Sequence, residues 1–197
     1  MRLTKRGEYA LRTLIRLGVA QRFGREVVAV SLLAEGEKVP YKFLENIVAE
    51  LRRAAFVESR RGKQGGVLLA LPMESIKMGS VVRAIDGRLA PIGCASDTDY
   101  TKCTCPDEDH CGLRMLMIDV RNAISGILDR YSLADVVGVT IRKMERDGVA
   151  PPFSEESLRD ALVSDQSQRP EHPAAPEDGF LNWLVGMPLK PRSSETE

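Results

Sequence analysis

The chain has 197 residues, 43% of them apolar, and its 28 basic and 28 acidic side chains cancel to zero net charge. That is enough for one or two domains with a real core. No window approaches the ~18 apolar residues of a membrane span, and no apolar run follows a charged start as in a signal peptide, so a cytoplasmic chain without membrane contact is expected.

The zero sum hides an asymmetry. Residues 1–70 hold 14 Lys/Arg against 7 Asp/Glu, whereas residues 151–197 hold 4 against 9. A basic first third points to a polyanionic partner, or else to a solvated surface with uneven charge.

A helix is predicted over 4–23, with Thr4 as N-cap, Leu11, Leu14, Ile15 and Val19 on one face, and Gly24 as its stop. A short second helix follows Ser31 through Leu32-Leu33-Ala34-Glu35, and Gly36 to Pro40 reads as a turn. A third helix runs from Tyr41 to Ala54, its apolar face made of Leu44, Ile47, Val48 and Leu51. Phe56–Ser59 and Val67–Ala70 read as two strands around the turn Arg60-Arg-Gly-Lys-Gln-Gly-Gly66.

This order predicts a winged helix-turn-helix, mainly α with a small β-hairpin wing (an α+β fold). The third helix is then the recognition helix, presenting Tyr41, Lys42 and Glu45 to base edges in the major groove. Arg61 in the wing reaches the duplex. Arg2, Thr4, Lys5, Gly65 and Gly66 lie near phosphates, and Lys63 is a further contact or a solvated charge. An ordinary α+β core would not explain three basic residues and three glycines in one seven-residue turn.

Residues 75–88 read as another short helix. After a loop, a long amphipathic helix spans 113–131, with Leu113, Leu116, Met117, Val120, Ile124, Ile127, Leu128 and Tyr131 in one stripe. The domain core takes part of that stripe, and a second copy of the helix takes the rest, since operator-binding proteins of this kind are usually two-fold dimers. Ser132-Leu-Ala-Asp135 resembles a capping box that opens one more helix. The chain divides into a DNA-binding domain (1–72), a loop and dimerisation region (73–148) and an acidic, proline-containing flexible tail (149–197). Within the tail, the apolar island Phe180 to Val185 carries the single Trp183, and docking on the body is favoured over capture of a partner.

The four cysteines of the chain, Cys94, Cys103, Cys105 and Cys111, fall within 18 residues of the loop. In so polar a segment they are not expected to be buried as small hydrophobes. Gathered thiolates bind a metal or a cluster, or do redox chemistry. A reducing cytosol disfavours structural disulfides. An iron–sulfur cluster, a structural zinc and a thiol-based switch all suit the loop. A redox enzyme does not, for there is no Cys-x-x-Cys ahead of a helix and no G-x-G-x-x-G fingerprint.

Several segments taken jointly resemble the IscR/NsrR/RirA (Rrf-type) group of bacterial winged-helix regulators. They are Met1 to Ala10, Tyr41-Lys-Phe-Leu-Glu-Asn-Ile47, Leu51-Arg-Arg53, Arg61-Gly62-x-x-Gly65-Gly66, the cysteine loop ahead of a long helix, and Ser132 to Val137. The resemblance covers residues 1 to about 140. It implies a homodimer that binds palindromic promoter DNA, switched by a 2Fe–2S or 4Fe–4S cluster sensitive to iron, redox state or nitric oxide. It implies three cysteine ligands, here Cys94, Cys105 and Cys111, and an acidic fourth ligand, Glu8 of the partner subunit. The loop departs from the family's pattern in its longer first spacing and its extra thiol. Cys103 replaces Cys105, completes an all-cysteine set, or stays free for redox chemistry. Where many members place a histidine ligand this chain has Arg114, which cannot ligate, and His110 is a minor candidate.

Overall fold

The computed structural model describes residues 3–62, 64–87, 89–153 and 179–180. Among them, α1 (Lys5–Arg22), α2 (Val30–Glu37) and α3 (Tyr41–Arg53) precede a hairpin of β1 (Val57–Arg60) and β2 (Gly66–Leu69). A single 3-10 turn (Met73–Ser75), α4 (Met78–Asp86), a second such turn (Gly93–Ala95), α5 (Gly112–Arg130) and α6 (Leu133–Arg146) follow.

Local chemistry explains these boundaries. Thr4 caps α1, its hydroxyl accepting from the Gly7 N–H at 3.1 Å. Ser132 and Asp135 form a reciprocal capping box at the start of α6. β1 and β2 pair antiparallel with Val57 opposite Leu69 and Arg60 opposite Gly66, one residue further along β1 and one earlier on β2 than the sequence pattern suggests.

Three features depart from expectation. α2 starts at Val30 and continues through Gly36 and Glu37, ending at Lys38 in the left-handed region (φ 54°), so the turn begins two residues later. The reason is tertiary: the Glu37 side chain is only 3% exposed and takes the guanidinium groups of Arg12 and Arg16 on α1. Second, Val28 joins the hairpin as a third strand-like residue, exchanging both backbone hydrogen bonds with Val67 at 3.0 and 2.8 Å. Third, the helix expected at 75–88 is divided, because fully buried Ile76 takes an extended backbone between the 3-10 turn and α4.

The core gathers Leu14, Leu17, Leu33, Leu44, Ile47, Leu51, Val57 and Ile76 with Leu133 and Val137 of α6. No residue of α5 is fully buried, and of its stripe Leu128 packs against the core. Its end is fastened to α4 by the Arg83–Asp129 ion pair and by the Met78 N–H donating to the Tyr131 carbonyl at 3.1 Å. Leu113, Met115, Leu116 and Ile127 are left exposed along it. The tail reading falls largely outside the described residues, as does Trp183. Phe180 does meet the body, its ring edge-on to Tyr131 with centroids 4.9 Å apart.

Candidate functional site

The first candidate surface is α3 with the wing. A buried apolar stripe on α3 (Leu44, Ile47, Val48, Leu51) fixes the helix against the core and leaves its first turn in solvent. Tyr41 is exposed there. Lys42 pairs with Glu45 at 2.7 Å, and that carboxylate pushes the Lys42 ammonium above its usual range. Arg61 is exposed next to Gly62 (φ 112°), at the turn of the wing. Gly65 and Gly66 are required by space. A Cβ on Gly65 would overlap the Arg60 and Gly62 carbonyls, and one on Gly66 would overlap the Val28 backbone. Thr4 is committed to Asp86 of α4, to which its N–H donates at 2.9 Å. Lys5 lies beside Glu8 at 2.7 Å. Arg2 and Lys63 lie outside the described residues.

The second candidate is the cysteine loop. Cys94 is 6% exposed inside the turn Gly93–Ala95, so one thiol is buried after all. The loop's polar composition misleads here, because two arginines of α5 hold this turn against the helix. Arg114 Nε donates to the Cys94 carbonyl at 3.0 Å, and Arg121 Nη1 donates to that of Ala95 at 2.7 Å. Cys111 is a half-exposed free thiol at the N-cap of α5. Cys103 and Cys105 are joined in a disulfide. His110 is exposed and turned to Asp107 at 2.8 Å. Glu8 sits between Lys5 and Arg12, and Lys5 above all draws its carboxyl below the usual range.

Sequence reasoning overlooked Glu108. Its side chain is 14% exposed. Oε1 accepts from the Tyr100 hydroxyl at 2.8 Å and lies 3.4 Å from Arg114 Nε, while Oε2 lies 3.7 Å from Cys103 Sγ. The Glu108 carboxylate also holds the Tyr100 phenol above its ordinary pKa. Nothing in the run Asp107-Glu108-Asp109 marks the middle residue out; only its contacts do.

In kind, the residues fit an iron–sulfur cluster: four cysteines and a carboxylate in one loop. In arrangement, Cys94 and Cys111 are free and stand apart from the Cys103–Cys105 pair. Among the described residues no three His, Cys, Asp or Glu side chains converge to hold a metal ion. No helix among them is long and apolar enough to cross a membrane.

A helix pair, a following wing and a long uncovered helix define a winged helix-turn-helix regulator of transcription. The chain belongs to the Rrf2 family, described as iron-dependent transcriptional regulators, whose profile matches residues 3–138. The HTH-type transcriptional repressor NsrR of Streptomyces coelicolor is 34% identical over 137 residues, 70% of this chain and 88% of that protein. CymR, the global cysteine regulator of B. subtilis, superposes with a TM-score of 0.58 at 25% identity, covering 70% of this chain and 97% of CymR. T. potens IscR gives a TM-score of 0.55 at 25% identity, covering 76% and 93%. The protein is therefore a DNA-binding transcription regulator and not an enzyme.

Proposed function

We propose that this chain is a cytoplasmic, homodimeric regulator whose affinity for promoter DNA is set by an iron–sulfur cluster bound in the Cys94–Cys111 loop. One observation carries this reading: the thiol loop is bonded directly to the helix that the subunit leaves uncovered. Arg114 and Arg121 of α5 hold the backbone of the Cys94 turn. α5 in turn holds α4 through Arg83–Asp129, and α4 holds the start of α1 through Asp86 and Thr4. A change in the loop therefore has a packed route to the DNA-binding end, and a second copy covering the apolar side of α5 would carry it to both recognition helices.

When bound, the cluster would supply thiolate-ligated iron that changes charge and geometry with redox state or on loss. Cys94, Cys105 and Cys111, with Cys103 as alternative, are the thiols to hold it, and Glu8 of the partner subunit is the proposed oxygen donor. Tyr41, Lys42, Glu45 and Arg61 are the proposed groove contacts, with Arg2, Thr4, Lys5, Lys63, Gly65 and Gly66 at the backbone. Anaerobic purification with a visible spectrum and iron and sulfide counts tests this; a colourless protein without sulfide refutes it.

The Cys103–Cys105 disulfide favours a second reading, a thiol switch without metal. Thiol labelling of protein purified without oxygen separates the two, for the switch requires four labelled cysteines in a protein free of iron.

A further inference from the structure

We propose that Asp86 is a positioning residue for DNA binding, its carboxylate fixing the first turn of α1 where that turn meets the DNA backbone; this rests on the reading that Lys5 lies at the phosphates. Asp86 ends α4 and is half-buried. Its Oδ2 accepts from the Thr4 N–H at 2.9 Å, and its Oδ1 accepts from the Thr4 hydroxyl. Thr4 is the N-cap of α1. One side chain of α4 therefore holds the residue from which α1 starts.

Local preferences on both helices yield to this contact. An acid at the last residue of a helix faces the negative end of that helix's own dipole, which is unfavourable; at the start of α1 the same carboxylate faces a positive end. On the other side, α1 carries a glycine where the carboxylate lies. A Cβ on Gly7 would overlap the Asp86 carboxylate. Glycine inside a helix is less favourable than alanine, so the close approach is kept at the expense of local helix stability.

The other flank of α4 is built alike. A Cβ on Gly79 would overlap the Asp129 carboxylate of α5, whose Oδ1 also accepts from Arg83 Nη1 at 2.8 Å. With a carboxylate seated over a glycine on each flank, α4 is fitted closely to α1 and to α5. The Lys5 side chain, 70% exposed and one residue past Thr4, then leaves the body from a turn whose place is set by α4.

The salt dependence of operator binding is the test, measured as log K against log salt on full-length protein whose active fraction is titrated first. Lys5→Ala is expected to lower the slope by about 1, the share of one phosphate contact. Gly7→Ala is expected to lower it by a similar amount, because the new Cβ displaces the Asp86 carboxylate while net charge is unchanged and helix propensity improves. Asp86→Ala is expected to do the same, although it removes a negative charge beside a polyanion. Charge removal alone acts in the opposite direction and raises affinity. A residue that only supports the fold would reduce the active fraction and the thermal midpoint and leave the slope of the active protein where it was.

A wild-type slope in either Gly7→Ala or Asp86→Ala, while Lys5→Ala lowers its own, overturns the assignment of Asp86. So does an Asp86→Ala variant that binds more tightly than wild type, which would make the carboxylate a repulsive charge only. Lys5→Ala with a wild-type slope would remove the first turn of α1 from the interface, and this proposal falls with that reading. Where Asp86→Ala does not fold, Gly7→Ala decides, since it keeps every hydrogen-bonding group.

Discussion

The Glu37 carboxylate offers a test of how the helix-turn-helix is held to α1. Its side chain is 3% exposed. Oε1 accepts from Arg16 Nε at 2.7 Å, and Oε2 has no well-directed hydrogen bond but lies in ion-pair contact with Arg12. Both arginines are partly solvated, their side chains 34% and 42% exposed, so the cost of burial falls mainly on the acid. Arg16→Met, which keeps an apolar stem, removes one charge-assisted hydrogen bond and should cost about 1.5–3 kcal/mol. Arg12→Met with Arg16→Met leaves a buried carboxylate with no cation and should cost about 3–5 kcal/mol. Adding Glu37→Leu to that pair should recover most of the loss, because an apolar trio of similar volume replaces a buried ionic one. Urea unfolding monitored by circular dichroism reads these differences as midpoint shifts at constant slope. A loss below about 0.5 kcal/mol in the double variant, the scale of exposed ion pairs, would refute the buried-acid account.

Other outcomes follow from the same geometry. Arg61→Ala should weaken operator binding by about 1–3 kcal/mol in gel shifts; unchanged affinity and salt slope would remove Arg61 from the interface. Ile124→Glu or Met117→Glu would bury an unpaired charge if α5 packs on its mate, so light scattering should report monomers where the wild type gives dimers. Gly66→Ala would drive a Cβ into the Val28 backbone and break the Val28–Val67 pairing, and it should lower the thermal midpoint measurably while Gly24→Ala, with open space around it, acts only through its φ of 82°.

The elements that local rules govern were legible in the sequence. The Thr4 cap, the apolar stripe of α3 and the Ser132–Asp135 box each follow from spacing alone, and each stands where that spacing places it. What escaped depended on partners far along the chain. Gly36 looks like a helix stop until Arg12 and Arg16, more than 20 residues earlier, give Glu37 a reason to stay helical. Val28 shows no strand pattern of its own and is recruited by Val67. In the loop, the cysteines announced a thiol site, but the burial of Cys94 depends on Arg114 and Arg121 of α5, and the placement of Glu108 depends on Tyr100 and Arg114. Arg114, set aside as unable to ligate, turns out to organise the loop through its hydrogen bonds.

In the proposed function, the state of the loop controls DNA binding. The most direct measurement compares anaerobically purified protein, with iron and sulfide counted, before and after removal of its iron by a chelator. Each form is titrated at fixed salt against an operator recovered by selection from genomic fragments. A cluster-switched regulator is expected to be coloured and to contain sulfide, and its operator affinity to change by at least about tenfold, or about 1.4 kcal/mol, when the cluster is removed. Equal affinity of the two forms, or protein purified without oxygen that carries zinc or no metal in the loop, would contradict it.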